Sequence, residues 1–152
     1  MSLPVALGAA VCTQVLSQLF KVVFYSIRKR SFDIHYLSSA GGMPSAHSAF
    51  VAALSTSVAL IEGPSSDAFA ISVVFAFIVI YDAYRVRGTV ENLVRIVTQL
   101  RNDRRTLGLP DGESDPIKLP KKLGHSIPEI IVGVLVGILL GGLITLLFKP
   151  FY

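Results

Sequence analysis

Four stretches of this chain are too apolar to fold in water, and they decide what it can become. Residues 4–27 carry one charge, Lys21, close to their far end, and residues 44–61 carry none. Residues 67–83 are uncharged from Ala68 to Tyr81, and residues 126–148 hold only Glu129, near their entrance. A helix needs about 20 apolar residues, within roughly 17–25, to cross a bilayer. The second stretch is at the short end of that range, and the uncharged part of the third falls below it. Both still count as spans, because a bundle can bury short helices and the third can continue past Asp82. The expected fold is an all-α integral membrane bundle of about four spans. It forms one domain over residues 1–152, with an interfacial helix or loop between the third and fourth spans.

Composition agrees. Of 152 residues, 52% are hydrophobic and 16% charged, and the mean hydropathy of +0.63 lies well away from that of an ordinary soluble domain. The single cysteine, Cys12, rules out an intramolecular disulfide and reads as packing within an apolar run. The Cys/His clusters of a structural zinc site are absent from the sequence. No basic residue precedes the first apolar run, so it is expected to be a retained span rather than a cleaved signal.

The connections sort by charge. Residues 61–67 form a short acidic turn without Lys or Arg, whereas residues 26–43 carry Arg28, Lys29 and Arg30 against Asp33. The long connection at about 84–124 carries nine Lys/Arg, from Arg85 to Lys122, against five acids. If all four runs span, the two basic connections share a face. The positive-inside rule makes that face cytoplasmic and puts both termini outside. Within the long connection Val90, Leu93, Val94, Val97 and Leu100 recur at helical spacing. They predict an amphipathic helix that lies at the interface or continues the third span. Gly133, Gly137 and Gly141 form a ladder of small residues on the last span, which signals close helix packing, within the bundle or across a homodimer.

The chemistry-bearing residues gather where these runs begin and end. Gly42-Met43-Pro44-Ser45-Ala46-His47 opens the second run. A helix start presents unpaired N–H groups and partial positive charge, a ready seat for phosphate. Glycine beside it lets a ligand approach the backbone. His125 stands at the start of the fourth run in the same way, with Glu129 one turn on. Lys21 and Arg28 sit at the end of the first run, and Asp82, Arg85 and Arg87 at the end of the third. All of these positions fall on one face of the expected bundle.

Gly-Gly-Met-Pro-Ser-Ala-His-Ser-Ala at residues 41–49, Tyr-Asp-Ala-x-x-Val-Arg at 81–87 and Leu-Gly-His-x-x-Pro-Glu at 123–129 resemble the divergent type-2 phosphatidic acid phosphatase family. Its parent superfamily carries Lys-x6-Arg-Pro, Pro-Ser-Gly-His and Ser-Arg-x5-His-x3-Asp. Lys21-x6-Arg28 is similar to the first, with Lys29 for proline. Pro44 to His47 matches the second with Ala46 for glycine, and His125-x3-Glu129 matches the end of the third with glutamate for aspartate. The Ser-Arg pair has no counterpart at 119–124, and the nearest arginines are Arg85 and Arg87.

The resemblance implies a lipid phosphatase working through a phosphohistidine. His125 would attack phosphorus, Glu129 would hold its ring, and His47 would protonate the leaving alkoxide and then activate water. Lys21, Arg28, Arg87, Gly42 and the N–H groups from Ser45 to His47 would hold the phosphoryl oxygens. It implies no metal or cofactor and no nucleic-acid partner; a catalytically inactive anion-binding scaffold of the same fold is the rival. Simpler roles stand beside these. Ser126-x-x-Glu129 is a capping box, Lys21 has the position of a lysine snorkelling to headgroups, and Arg28 sits among topology-determining charges. Asp82 fits a structural ion pair with a nearby arginine as well as an orienting carboxylate.

Overall fold

The computed structural model describes residues 4–29, 42–108 and 124–148; within these, the side chains of Arg28, Lys29 and Arg105 are excluded. The described part is all-α. Helix α1 spans Val5–Lys29, α2 Ala46–Glu62, α3 Asp67–Tyr81, α4 Arg87–Thr106 and α5 Ile127–Phe148, and a π-helical turn, Asp82–Val86, joins α3 to α4. Three helical stretches, Val5–Ile27, Asp67–Arg104 and Ile127–Phe148, are long and apolar enough to cross a membrane, and α2 is a shorter apolar helix. The third apolar run therefore does not stop near residue 83. It passes through the π turn into α4 as one helical rod, the second of the two expectations for the amphipathic segment.

Helix boundaries follow local chemistry. The α2 helix begins at Ala46 rather than Pro44, because Ser45 is its N-cap: its hydroxyl accepts from the Ser48 N–H at 3.4 Å. Ser66 caps α3 through the Phe69 N–H at 3.2 Å. Between them Gly63, at φ 93°, turns the chain and donates its N–H to the Ala59 carbonyl.

The central helix is α2, with α1, α3 and α5 packed around it and α1 also resting on α5. Its buried residues are small: Ala46, Ser48, Ala49, Ala52, Ala53, Ser55 and Ser57, with Val51 the exception. Bulky side chains point the other way; Leu19, Phe20, Val23, Ile71, Phe77, Leu139 and Leu143 are all exposed. Small residues inside and large apolar ones outside suit a lipid solvent, where helices associate by close approach rather than by hydrophobic burial. Cys12 belongs to the outer surface and is not core packing.

The glycine ladder is used within the chain. A Cβ on Gly133 would stand 2.5 Å from the Ser45 carbonyl oxygen, and one on Gly141 2.6 Å from the Ala53 Cα; Gly137 meets Ala49 and Ala52 in the same way. Only hydrogen side chains let the backbones come this close. A turn further along, Ser57 and Thr145 hydrogen-bond across the seam. This face of α5 packs against α2, the intramolecular one of the two readings of the ladder.

Candidate active site

Backbone hydrogen bonds draw the helix ends together. The Ser45 N–H donates to the Glu129 carbonyl at 3.0 Å and the His125 N–H to the Ala83 carbonyl at 3.1 Å. The second bond rests on the π turn, where the Arg87 N–H reaches back to the Asp82 carbonyl and the regular ladder is loosened. Glu91 adds a third tie, accepting the Gly124 N–H at 3.0 Å. Gly124 also touches the backbone of Gly88, where a Cβ would come within 3.0 Å.

His125 is buried, at 4% exposure. Its Nδ1 lies 3.1 Å from Glu129 Oε2, and the Ser126 N–H donates to that same oxygen at 3.2 Å. A carboxylate only accepts, so the proton sits on Nδ1 and the lone pair on Nε2. Nε2 is itself buried and has no hydrogen-bond partner among the described residues. Glu129 thus performs the capping role and the orienting role together, one turn into α5. The His47 ring faces His125 with centroids 6.4 Å apart and planes at 62°. Burial out of water holds the His125 pKa below its ordinary 6.5. The charges of Lys21 and His47 push it the same way, against the raising pull of Glu129. A neutral ring with a free nitrogen is a nucleophile or a proton acceptor.

Lys21 is 1% exposed, far from the snorkelling arrangement expected of a lysine near a span's end. It is within electrostatic reach of both histidines, and Arg87 and Asp82 are within reach of His47. Arg87 Nε is bonded to Asp82 Oδ2 at 3.0 Å, so Asp82 forms the ion pair. Arg85 is exposed and lines a cavity of about 350 Å³ together with Glu91, Asn92, His125 and Ser126. Gly42 is buried at φ 100°, where a side chain would press on the Tyr25 ring. The side chain of Arg28 lies outside the described residues.

The structure therefore brings His47, His125, Glu129, Lys21, Arg87, Ser45 and Gly42 to one end of the bundle. Two participants went unnoticed in the sequence. The Tyr25 hydroxyl accepts the Met43 N–H at 3.3 Å and supports the turn before α2. It lies one helical turn beyond Lys21, so periodicity on α1 was the available signal. Glu91 had no signal, since its partner is a backbone N–H 33 residues away.

Fold and site define a class: a helical membrane bundle with paired histidines at one end. The chain belongs to the divergent PAP2 family, whose sequence profile matches residues 4–140. It is 42% identical over 86 residues to YuiD, an uncharacterized membrane protein of Bacillus subtilis (strain 168); the match covers 57% of this chain and 54% of that protein. The chain thus aligns with about half the length of this relative. No solved structure matches it.

Proposed function

We propose that this chain is a phosphatase acting on a lipid phosphate at the membrane surface, through a phosphohistidine on His125. The observation that carries the reading is the His125 ring, with Nδ1 held by Glu129 and Nε2 buried opposite His47 without a hydrogen-bond partner among the described residues. The Nε2 lone pair attacks phosphorus, and the P–O bond to the lipid breaks. His47, protonated at the start, gives its proton to the leaving alkoxide. Neutral His47 then takes a proton from water as the hydroxide attacks phosphorus. The P–N bond breaks, phosphate leaves and His125 is restored. Lys21, Arg87 and the N–H groups at the α2 start stabilise the phosphoryl oxygens, so the step as drawn needs no metal.

A lipid substrate fits the surroundings. An apolar groove of about 600 Å³ runs between α3 and α5, with Phe77, Ile78, Tyr81, Ile127 and Ile130 in its lining. Ile127 is two residues from His125, so a hydrocarbon chain in the groove would carry its head to the histidines. The basic connections suggest the cytoplasmic leaflet by the positive-inside rule.

The test is phosphate release by purified protein from a panel of lipid phosphates, with acid-labile phosphohistidine measured alongside. Release accompanied by label at residue 125 supports the proposal. A second reading, a non-catalytic anion-binding scaffold, is favoured by the missing Ser-Arg pair and by the engagement of Arg87 with Asp82. Binding of lipid phosphates without release from any of them would establish it.

A further inference from the structure

Below the histidines the bundle interior is polar where a membrane protein has least reason to be. Thr13, Ser17 and Lys21 stand at four-residue steps on one face of α1 and are 0%, 2% and 1% exposed. The α1 helix runs antiparallel to α2. At one end Lys21 is within reach of His47 and Tyr25 bonds to Met43; at the other Pro4, Val5 and Ala6 share a cavity with Val58, Ile61 and Glu62. Eight residues down α1 from Lys21, about 12 Å, is therefore level with eight residues along α2 from His47. That pairs Thr13 with the depth of Ser55, itself 9% exposed.

The hydroxyls of Thr13, Ser17 and Ser55 are buried and have no hydrogen-bond partner among the described residues. Two hydroxyls elsewhere in the bundle turn back onto their own helix. Ser72 donates to the Phe69 carbonyl at 2.7 Å, and Thr145 to the Gly141 carbonyl at 2.6 Å. Three unsatisfied hydroxyls in a lipid-surrounded interior, under a buried lysine, call for a ligand with both donors and acceptors. Water is the small molecule that has both.

We propose that Thr13, Ser17 and Ser55 bind a short file of internal water beneath Lys21, giving the anion seat a hydrated floor inside the bundle. The file ends blindly near mid-membrane, so it is a well and not a channel. Part of the test rests on the phosphatase reading, through the anion seat; the rest does not.

In a Cys12→Ala background reconstituted in liposomes, Thr13→Cys and Ser17→Cys are exposed to silver ion, an aqueous thiol reagent of nearly the size of water. Ser126→Cys at the mouth is the positive control and lipid-facing Leu19→Cys the negative one. Reaction of both inner thiols at a rate within about tenfold of Ser126→Cys, slowed by vanadate, supports the well; silence at both while Ser126→Cys reacts overturns it. Should either cysteine variant fail to fold, Ser17→Ala decides by vanadate affinity. A Kd raised about threefold or more supports water-mediated contact, and an unchanged Kd overturns it. Wild-type protein that never binds vanadate would sink the phosphatase reading, while the silver reaction still decides the water.

Discussion

At the scale of single residues, the two histidines differ in what the protein does to them, and the proposed roles follow. His125→Ala should abolish turnover of every substrate, because no phosphoenzyme can form. His47→Ala should be severe for alkyl phosphates but milder in the first step for an aryl phosphate, whose leaving group is stable as an anion. That variant should accumulate phosphohistidine at 125, since activation of water is lost too. Equal losses on both leaving groups with no trapped intermediate would reverse the assignment. Acidity gives a second handle. The His125 pKa lies below 6.5, chiefly because the ring is buried. Its neutral, nucleophilic form therefore persists below pH 6.5, and the acid limb of phosphoenzyme formation should have its midpoint under that value. The sign for stability is consistent. In the unfolded chain His125 takes up a proton as the pH falls through 6.5 while the folded ring stays neutral, so the fold loses stability from there down to the folded pKa. Glu129 is the group that raises this pKa, by its hydrogen bond and its charge. Glu129→Gln should move the acid limb to still lower pH and cut kcat by about tenfold or more. An acid limb left where it was would mean that Glu129 serves only as the α5 cap.

At the scale of helices, the sequence showed the parts and hid their phases. The apolar runs, the entrance histidines and the ladder were legible because composition and motif spacing are local properties. Continuation of the third run was one of two readings, but the π turn that carries it was not legible, since it is held by a contact between Ala83 and His125, 42 residues apart. Nor was the inward direction of Lys21. A lone lysine near the end of an apolar run has the same spacing whether it faces lipid or core, and only the Thr13–Ser17–Lys21 register marks the buried face. The α2–α5 seam gives the clearest energetic test. Gly133→Ala forces a methyl against the Ser45 carbonyl, a backbone atom at the head of the site that cannot swing away. Overpacking of this kind costs about 1–3 kcal/mol. It should lower thermal stability in detergent and disturb the His47 helix start together. Gly8→Ala is the control: nothing lies within 4 Å of its added methyl, and the gain should be up to about 1 kcal/mol from helix propensity. Equal effects at both positions would mean that the seam is not close-packed.

At the scale of the whole molecule, the arrangement has a direction, and every proposed role depends on it. The α1 end, the α2 start, the α3–α4 junction and the α5 start meet at one end of the bundle, while the Gly63–Ser66 turn lies at the other. One membrane face must therefore hold the histidines and Thr106, at the end of α4, if the rod of α3 and α4 emerges where the π turn meets His125. We propose that this face is cytoplasmic, on the positive-inside rule applied to the basic connections. Single cysteines placed in a Cys12→Ala background decide the matter. Ser126→Cys and Thr106→Cys, both at exposed positions, should be modified by an impermeant maleimide only from the cytoplasmic side, and Ser65→Cys, exposed on the opposite turn, only from outside. Modification of all three from one side would mean that α2 and α3 do not cross as a pair. Modification of Ser126→Cys from outside and Ser65→Cys from the cytoplasm would invert the protein. The paired histidines would survive that inversion, but their substrates would then be lipid phosphates of the outer leaflet.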